Sequence, residues 1–117
     1  MGMFLRRGLP GKFSVILSAP VSYSSTYSMY AVVNGEKLTD ATALTFRAGS
    51  KVPITISYKA RNSRGNVILN GVTVSNEKEG TYEFVATTNT RILFEQKKTY
   101  DGNGNVVWTP TCTITEN

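Results

Sequence analysis

The sequence contains no histidine and only one cysteine, and no apolar run in it is long enough to cross a bilayer. The absence of histidine removes the commonest general base and the commonest metal ligand of proteins. The single cysteine, Cys112, has no partner within the chain for a disulfide, so packing alone has to hold the fold together. We therefore expect no enzymatic activity, no cofactor, no metal site and no membrane span.

Helix signals are also scarce, because no window repeats apolar residues at the 3.6-residue spacing of an amphipathic helix. Threonine, serine, valine and asparagine dominate the sequence, with ten glycines between them. This composition is typical of strands joined by tight turns. With 117 residues, of which 40% are hydrophobic, the chain is expected to form one all-β domain.

Residues 67–74, VILNGVTV, carry the strongest local signal. Asn70-Gly71 is the dipeptide that a two-residue type I′ turn favours, since both central positions need positive φ. The register that follows puts four apolar side chains on one face of a hairpin, in the opposed pairs Leu69–Val72 and Val67–Val74. A β-hairpin is therefore predicted here.

The order of signals repeats once along the chain. Asn34-Gly35 lies 36 residues before the second Asn-Gly pair, and each pair is followed by an aromatic-centred strand and one further strand. A two-residue turn at the first pair would place Val33 opposite Glu36. Two copies are too few for a solenoid. The repeat indicates either two halves that face each other in a sandwich or chance similarity among β sequences.

Four further segments alternate apolar and polar residues in the manner of half-buried strands. Their predicted inward faces are Val52, Ile54, Ile56 and Tyr58; Tyr82, Phe84 and Ala86; Ile92 and Phe94; and Val106, Trp108, Cys112 and Ile114. This assignment places Trp108 and Cys112 in the core. Pro53 is expected at an edge strand or at the start of its strand, and Pro110 is expected to bulge or break the last strand.

These signals together predict a single antiparallel β-sandwich with about eight to nine strands over residues 12–117. Residues 1–11, MGMFLRRGLPG, precede it as an extended arm, because Gly8, Pro10 and Gly11 disfavour regular structure. The apolar part of the following segment is only about seven residues long and alternates like a strand, so we expect no signal peptide.

The arm carries an apolar triplet, Met3, Phe4 and Leu5, directly before Arg6 and Arg7. A lone sandwich has no need of such a segment, so we predict that these five residues bind a partner. The expected partner is another protein of the same assembly or a second copy of this chain, which would make the protein a homo-oligomer.

Residues 20–30, PVSYSSTYSMY, combine tyrosine with serine as antibody paratopes do. Tyrosine supplies large rigid contact area and serine supplies adaptable hydrogen bonds. Tyr23, Tyr27 and Tyr30 are therefore the predicted residues of a recognition loop. The alternative interpretation is a loop whose tyrosines only cover one end of the sandwich.

The formal net charge is +5, and two groups of basic residues outside the arm are Arg61 with Arg64 and Lys97 with Lys98. Such residues either keep a surface solvated or bind an anionic partner such as nucleic acid or an anionic glycan. Nucleic acid would need the basic groups on one face with exposed aromatic side chains between them. The sequence favours the solvated surface, and we expect nucleic-acid binding least.

The segment DGNGN, residues 101–105, resembles the first half of a calcium-binding loop. Val106 stands where that loop needs glycine, and Cys112 stands where it needs glutamate. A hairpin turn is therefore the predicted structure.

The opening MGMFLRRG, the alternating strand after it, and the patterns xVNG…F…G…ITI and xLNG…GTYEF together resemble small immunoglobulin-like β-sandwich proteins of tailed bacteriophages. The resemblance implies a structural or adhesion protein of the virion, such as a capsid decoration, fibre-base or tail-associated protein, assembled in the host cytoplasm. It supplies no catalytic residue. The alternative is a carbohydrate-binding module that uses the Tyr/Ser-rich segment on a host-surface glycan.

Overall fold

The computed structural model describes residues 11–22, 27–61 and 63–117, which form eleven strands. The strands are β1 Lys12–Leu17, β2 Val21–Ser22, β3 Ser28–Val33, β4 Glu36–Lys37, β5 Thr42–Arg47, β6 Val52–Lys59, β7 Asn66–Leu69, β8 Val72–Ser75, β9 Glu79–Ala86, β10 Thr90–Tyr100 and β11 Val106–Glu116. Among these described residues there is no helix that could cross a membrane.

The strands form two sheets that face each other across one hydrophobic core. The first sheet has six strands in the order β5-β1-β10-β11-β7-β8, and the second has the order β2-β3-β6-β9 with β4 paired to β3. Buried side chains from both sheets make up a single cluster. The predicted all-β sandwich is confirmed, and nine of its strands have four or more residues, which agrees with the expected number.

Two strand pairs are parallel, a feature that the hairpin signals do not predict. β1 lies parallel to β10, with Val15 opposite Thr90, and β11 lies parallel to β7, with Thr111 opposite Asn66. Turn chemistry fixes the direction only of strands that follow each other in sequence. These two pairs bring together strands that are distant in the chain. Their direction is therefore set by the packing of the whole sheet and not by a connecting turn.

The inward faces are those that alternation predicts over most of the chain. On β6, Val52, Ile54, Ile56 and Tyr58 are at most 2% exposed. Full burial of one such aliphatic side chain stabilises the folded state by roughly 1.5–3 kcal/mol. β6 lies between β3 and β9 and is therefore a major contributor to the core.

The Asn-Gly pairs at residues 34–35 and 70–71 form the predicted turns. The φ angles of Asn34, Gly35, Asn70 and Gly71 are 52°, 82°, 49° and 85°, so both central residues of each turn are left-handed, as type I′ requires. The first turn pairs β3 with β4 in the predicted register, Val33 opposite Glu36.

The second hairpin keeps the predicted register only beside its turn. Leu69 lies opposite Val72, but a bulge then brings Ser75 rather than Val74 opposite Val67. Val72 is 62% exposed, so the prediction of four apolar side chains on one buried face is wrong for this residue. The reason is position, because β8 is the outermost strand of the six-stranded sheet and Val72 is its first residue.

The two strand prolines differ in outcome. Pro53 is the second residue of β6, an interior strand, which matches the expected place at a strand start rather than an edge. Pro110 lies within β11, which runs unbroken, so the predicted bulge or break is wrong. The ladder to β7 begins only at Thr111, so the missing N–H of Pro110 removes no bond to that neighbour.

The repeated order of signals has a counterpart in the topology. In the first copy, β3, β4 and β6 lie in the second sheet and β5 lies in the first. In the second copy, β7, β8 and β10 lie in the first sheet and β9 lies in the second. Each copy therefore contributes to both sheets, and the two copies do not form one sheet each.

Candidate binding surface at the ribbon end

The longest hairpin of the fold extends beyond the sandwich. β10 and β11 are joined by eleven consecutive residue pairs. β1 pairs with β10 only as far as Ile92, and β7 pairs with β11 only from Thr111 onward. Residues 96–110 therefore form a two-stranded segment that no third described strand joins, and we call this segment the ribbon.

The ribbon exposes a face that is buried further along the same strands. Cys112 and Ile114 are fully buried on β11, whereas on the same face Trp108 is 52% exposed and Val106 is 48% exposed. Tyr100, opposite Val106, is 63% exposed. The prediction that Trp108 lies in the core is wrong, although its predicted face is correct. Tyr27 and Arg61, which lie just outside the ends of β3 and β6, line a cleft with Trp108, so these two strands of the second sheet end near the level of Trp108.

The tip of the ribbon is the predicted turn, residues 101–105. Oδ1 of Asp101 accepts hydrogen bonds from the backbone N–H groups of Asn103 at 2.8 Å and Asn105 at 2.9 Å. The bond from Asn105, followed by that from Asn103, lowers the pKa of the Asp101 carboxyl below its ordinary value of 3.8. The ionised carboxylate therefore stabilises the turn.

The described residues of the loop between β6 and β7 are fastened to the base of the ribbon. Oγ of Ser63 donates a hydrogen bond to the Trp108 carbonyl at 2.9 Å. Nη1 of Arg64 donates to the Asn76 carbonyl at 3.1 Å, which ties the same loop to the segment after β8. These bonds fix the position of the loop relative to Trp108.

The Tyr58 side chain packs against the loop between β6 and β7 and hydrogen-bonds to β8 and the segment after it. Its hydroxyl hydrogen-bonds Oγ of Ser75 and accepts the backbone N–H of Glu77 at 3.0 Å. Gly65 lies flat against the Tyr58 ring, because a Cβ built on it would lie 2.4 Å from Cδ2 of that ring. Only glycine allows the loop to approach the ring this closely.

The basic groups outside the arm both lie at the ribbon end. Arg61 is exposed, and no hydrogen bond or ion pair joins its guanidinium to another of the described residues. Lys98 is the cross-strand neighbour of Trp108, and its Nζ lies 5.6 Å from the centre of the Tyr100 ring. Basic and aromatic side chains therefore share this end of the molecule, which the sequence alone did not indicate.

The predicted recognition loop contributes one described residue to this surface. Tyr27, directly before β3, lies at the ribbon end beside Trp108 and Arg61. Tyr30 lies on the outer face of the second sheet, where Nζ of Lys37 is 4.3 Å above the centre of its ring. Tyr23 lies outside the described residues.

A cleft of about 310 Å³ lies between the ribbon and the end of the second sheet, and we call it the ribbon cleft. Its lining combines aromatic, basic, amide and apolar side chains, namely Tyr27, Arg61, Gln96, Val106, Val107 and Trp108. Oε1 of Gln96 is buried and has no hydrogen-bond partner among the described residues. The cross-strand neighbour of Gln96 is Pro110, which has no N–H to donate.

The opposite end of the sandwich is where Gly11, the last residue of the arm, leads into β1, and we call it the arm end. β1 runs parallel to β10, which leads to the ribbon, so Gly11 lies at the far end from the ribbon. The Gly11 carbonyl accepts the backbone N–H of Ala48 at 3.0 Å. The predicted partner-binding residues lie outside the described part of the chain: Met3, Phe4, Leu5, Arg6 and Arg7.

A second cleft, of about 350 Å³, lies at the arm end, and none of the described residues that line it is aromatic. One polar group of this lining already serves the fold, since Oδ1 of Asn89 accepts the backbone N–H of Ser14 at 2.9 Å. The ribbon cleft is therefore the better candidate for binding.

Cys112 is confirmed as a core residue. It is fully buried, and burial raises the pKa of its thiol to about 12. The thiolate, which is the reactive form, is therefore scarce near neutral pH. In the part of the chain that the structure describes, no three His, Cys, Asp or Glu side chains are arranged to hold a metal ion.

In comparisons with known proteins, no family model matches the chain, and no curated protein or solved structure matches it significantly.

Proposed function

We propose that this protein is a non-enzymatic structural or adhesion component of a bacteriophage particle, held by its N-terminal arm. It would serve as a capsid decoration, fibre-base or tail-associated protein and act by contact. The main support for the proposal is that the arm and the exposed ribbon residues are attached to opposite ends of the sandwich. The described chain begins with Gly11 at one end, and the exposed aromatic and basic residues of the ribbon lie at the other.

The arm is the proposed anchor in a neighbouring subunit. Burial of Phe4 and Leu5 there would contribute roughly 1.5–3 kcal/mol for each side chain. Arg6 and Arg7 would form charge-assisted hydrogen bonds with carboxylates of the neighbour. The neighbour is another virion protein or a second copy of this chain.

The distance between the two ends favours a separate molecule as the arm's partner. Along β1 and then β10, about twelve residues, or about 40 Å, separate Gly11 from the level of Trp108. Leu5 precedes Gly11 by six residues, which span about 20 Å when fully extended. Even a fully extended arm therefore cannot bring its apolar triplet to the exposed ribbon of its own chain.

The test is deletion of residues 2–9 in the phage that encodes the chain. We expect the truncated protein to be lost from purified particles, as measured by mass spectrometry, while its urea denaturation midpoint is unchanged. Trp108→Ala, at the other end, is the matched control and should be incorporated normally. Incorporation of the truncated protein at the normal copy number would refute the anchor, and absence of the intact protein from particles would refute the virion role.

A free-standing carbohydrate-binding module is the second candidate, and the exposed Trp108 beside the ribbon cleft favours it. The molar mass of the purified protein in solution separates the two. A closed ring or trimer that depends on the arm supports a particle component. A monomer with or without the arm supports the binding module.

A further inference from the structure

The ribbon cleft presents an acceptor that the described fold leaves without a donor. Oε1 of Gln96 is buried and unpaired among the described residues, although the residue lines the cleft. Buried side-chain acceptors are nearly always satisfied in proteins, so an exception beside a cleft points to a donor that a ligand brings. Pro110, across the ladder from Gln96, cannot supply that donor.

The cleft also presents a flat apolar surface and a positive charge. The Trp108 side chain is half exposed, although large aromatic rings are normally buried for their apolar area. Arg61 reaches the same cleft with a guanidinium that no described residue engages. A guanidinium can form two parallel hydrogen bonds with one carboxylate, which makes it a specific receptor for that group.

These three features match the chemistry of an acidic saccharide. Oε1 of Gln96 is covered in the free protein, so a sugar hydroxyl can donate a hydrogen bond to it once the side chain turns toward the cleft. The C–H face of a pyranose ring is apolar and can pack on the indole of Trp108. The carboxylate or sulfate of an acidic sugar can pair with Arg61.

The size of the cleft favours a short segment of glycan over single-stranded nucleic acid. A volume of about 310 Å³ is at the lower limit of the range of about 300–1,000 Å³ found for small-molecule sites. Single-stranded nucleic acid is held by a basic groove that follows the backbone and by aromatic side chains under successive bases. Among the described residues that line the cleft, Arg61 is the one cation, and Lys98 lies outside the lining.

We propose that the ribbon cleft binds an acidic saccharide, with Trp108 against the sugar ring, Arg61 on its anionic group and Gln96 Oε1 accepting from a hydroxyl. This inference deepens the proposed adhesion function and depends on it only for the origin of the saccharide. The binding itself is a property of the purified chain.

Trp108 is the only tryptophan of the chain, so tryptophan fluorescence reports directly on the ribbon cleft. The intact protein is first applied to a glycan array of sialylated, uronic-acid and sulfated glycans with their neutral counterparts. The best acidic glycan and its neutral counterpart are then titrated while Trp108 fluorescence is recorded. We expect saturable binding with at least about tenfold higher affinity for the acidic glycan.

Three variants assign the contacts. Arg61→Gln should lower the affinity for the acidic glycan about tenfold, to that of its neutral counterpart, whereas Arg47→Gln at the arm end should leave it unchanged. Gln96→Leu should weaken binding of both glycans and leave the denaturation midpoint equal or higher, because it removes an unpaired buried acceptor. Trp108→Phe should weaken binding without loss of the fold.

Several results would overturn the proposal. These are the absence of any array signal above the neutral counterparts, equal effects of the Arg61 and Arg47 variants, or a stability loss in Gln96→Leu that explains its weaker binding. A dT oligonucleotide that binds more tightly than any glycan, with an affinity that falls steeply with salt, would assign the cleft to nucleic acid instead. None of these results bears on incorporation through the arm, so the two proposals fail separately.

Discussion

The inner and outer halves of the β10–β11 hairpin have the same pairing and the same alternation, yet their environments are opposite. In the inner half, Ile92 and Ile114 oppose each other and are fully buried. In the outer half, Tyr100 and Val106 oppose each other on the same face and are 63% and 48% exposed. The difference in exposure arises from the second sheet, which covers the inner half of the hairpin and does not extend over the outer half.

This difference separates two properties of a side chain, namely the face of the strand on which it lies and its burial. Alternation along a strand determines which face a side chain shares, since successive residues point to opposite sides. Burial depends on whether another element reaches that face. The inner half therefore stabilises the fold, and the outer half is available for contacts with other molecules.

The largest expected effect comes from truncating one aliphatic residue in each half of β11. Ile114→Ala removes buried side-chain volume and should lower the free energy of unfolding by about 2–5 kcal/mol. Val106→Ala, on the same face but half exposed, should change it by less than about 0.5 kcal/mol. Urea denaturation of both variants checks the comparison, and similar losses would show that the outer half is covered.

The next effect concerns the loop that fastens the ribbon to the sandwich. Gly65→Ala places a methyl group 2.4 Å from Cδ2 of the Tyr58 ring, so either the ring or the loop must move. We expect a loss of about 1–3 kcal/mol in the free energy of unfolding. Gly102→Ala is the matched control, because its Cβ would meet nothing within 4 Å. If both variants unfold at the same urea concentration, the close approach of Gly65 to Tyr58 has no energetic weight.

The features that sequence predicts well here are those set by local chemistry. The turns at Asn34-Gly35 and Asn70-Gly71 form because asparagine and glycine both tolerate the positive φ angles that a type I′ turn needs. The inward face of β6 follows from strict alternation around an interior strand. The turn at residues 101–105 forms because Asp101 can accept the N–H groups of the residues that follow it.

The features that sequence does not predict depend on elements distant in the chain. Val72 is exposed because β8 is an edge strand, and Trp108 is exposed because the opposite sheet is shorter than its own hairpin. The sequence does contain a signal for the exposure of Trp108. Residues 95–100, EQKKTY, lack an apolar alternating face to pair with that of Val106 and Trp108, so the outer strands cannot both be core.

The candidate site is predictable only in part for the same reason. Tyr27 and Arg61 stand out by residue type, but their meeting with Trp108 depends on the order of strands in two sheets. Gln96 gives no sequence signal at all. Its importance comes from the burial of one oxygen atom opposite a proline, which only the three-dimensional register reveals.

A smaller effect is expected at two turn glycines, Gly71 between β7 and β8 of the sandwich and Gly104 at the tip of the ribbon. Gly71 and Gly104 have φ angles of 85° and 81°, so alanine at either position is strained by about 1–2 kcal/mol. Gly71→Ala should lower the global free energy of unfolding by this amount. Gly104→Ala should instead increase amide hydrogen exchange in the ribbon and leave global unfolding unchanged, because the ribbon can open locally. A global loss in the Gly104 variant would show that the ribbon unfolds only together with the sandwich.

The smallest effect is a pH response confined to the ribbon tip. The pKa of the Asp101 carboxyl is lowered in the folded state by the N–H groups of Asn105 and Asn103. A lowered folded pKa means that the stabilisation is present above the ordinary value of 3.8 and is lost as the pH falls through the folded value. The amide NMR signals of Asn103 and Asn105 should therefore titrate with a midpoint below 3.8, while those of the inner half stay constant.

Asp101→Asn tests whether this carboxylate is the cause. The amide oxygen of asparagine can still accept a hydrogen bond, but it carries no charge and does not titrate at this pH. The variant should keep the turn and lose the pH response of the two amide signals. A midpoint above 3.8 in the native protein, or an unchanged response in the variant, would mean that the tip is held by its backbone geometry and not by the ionised side chain.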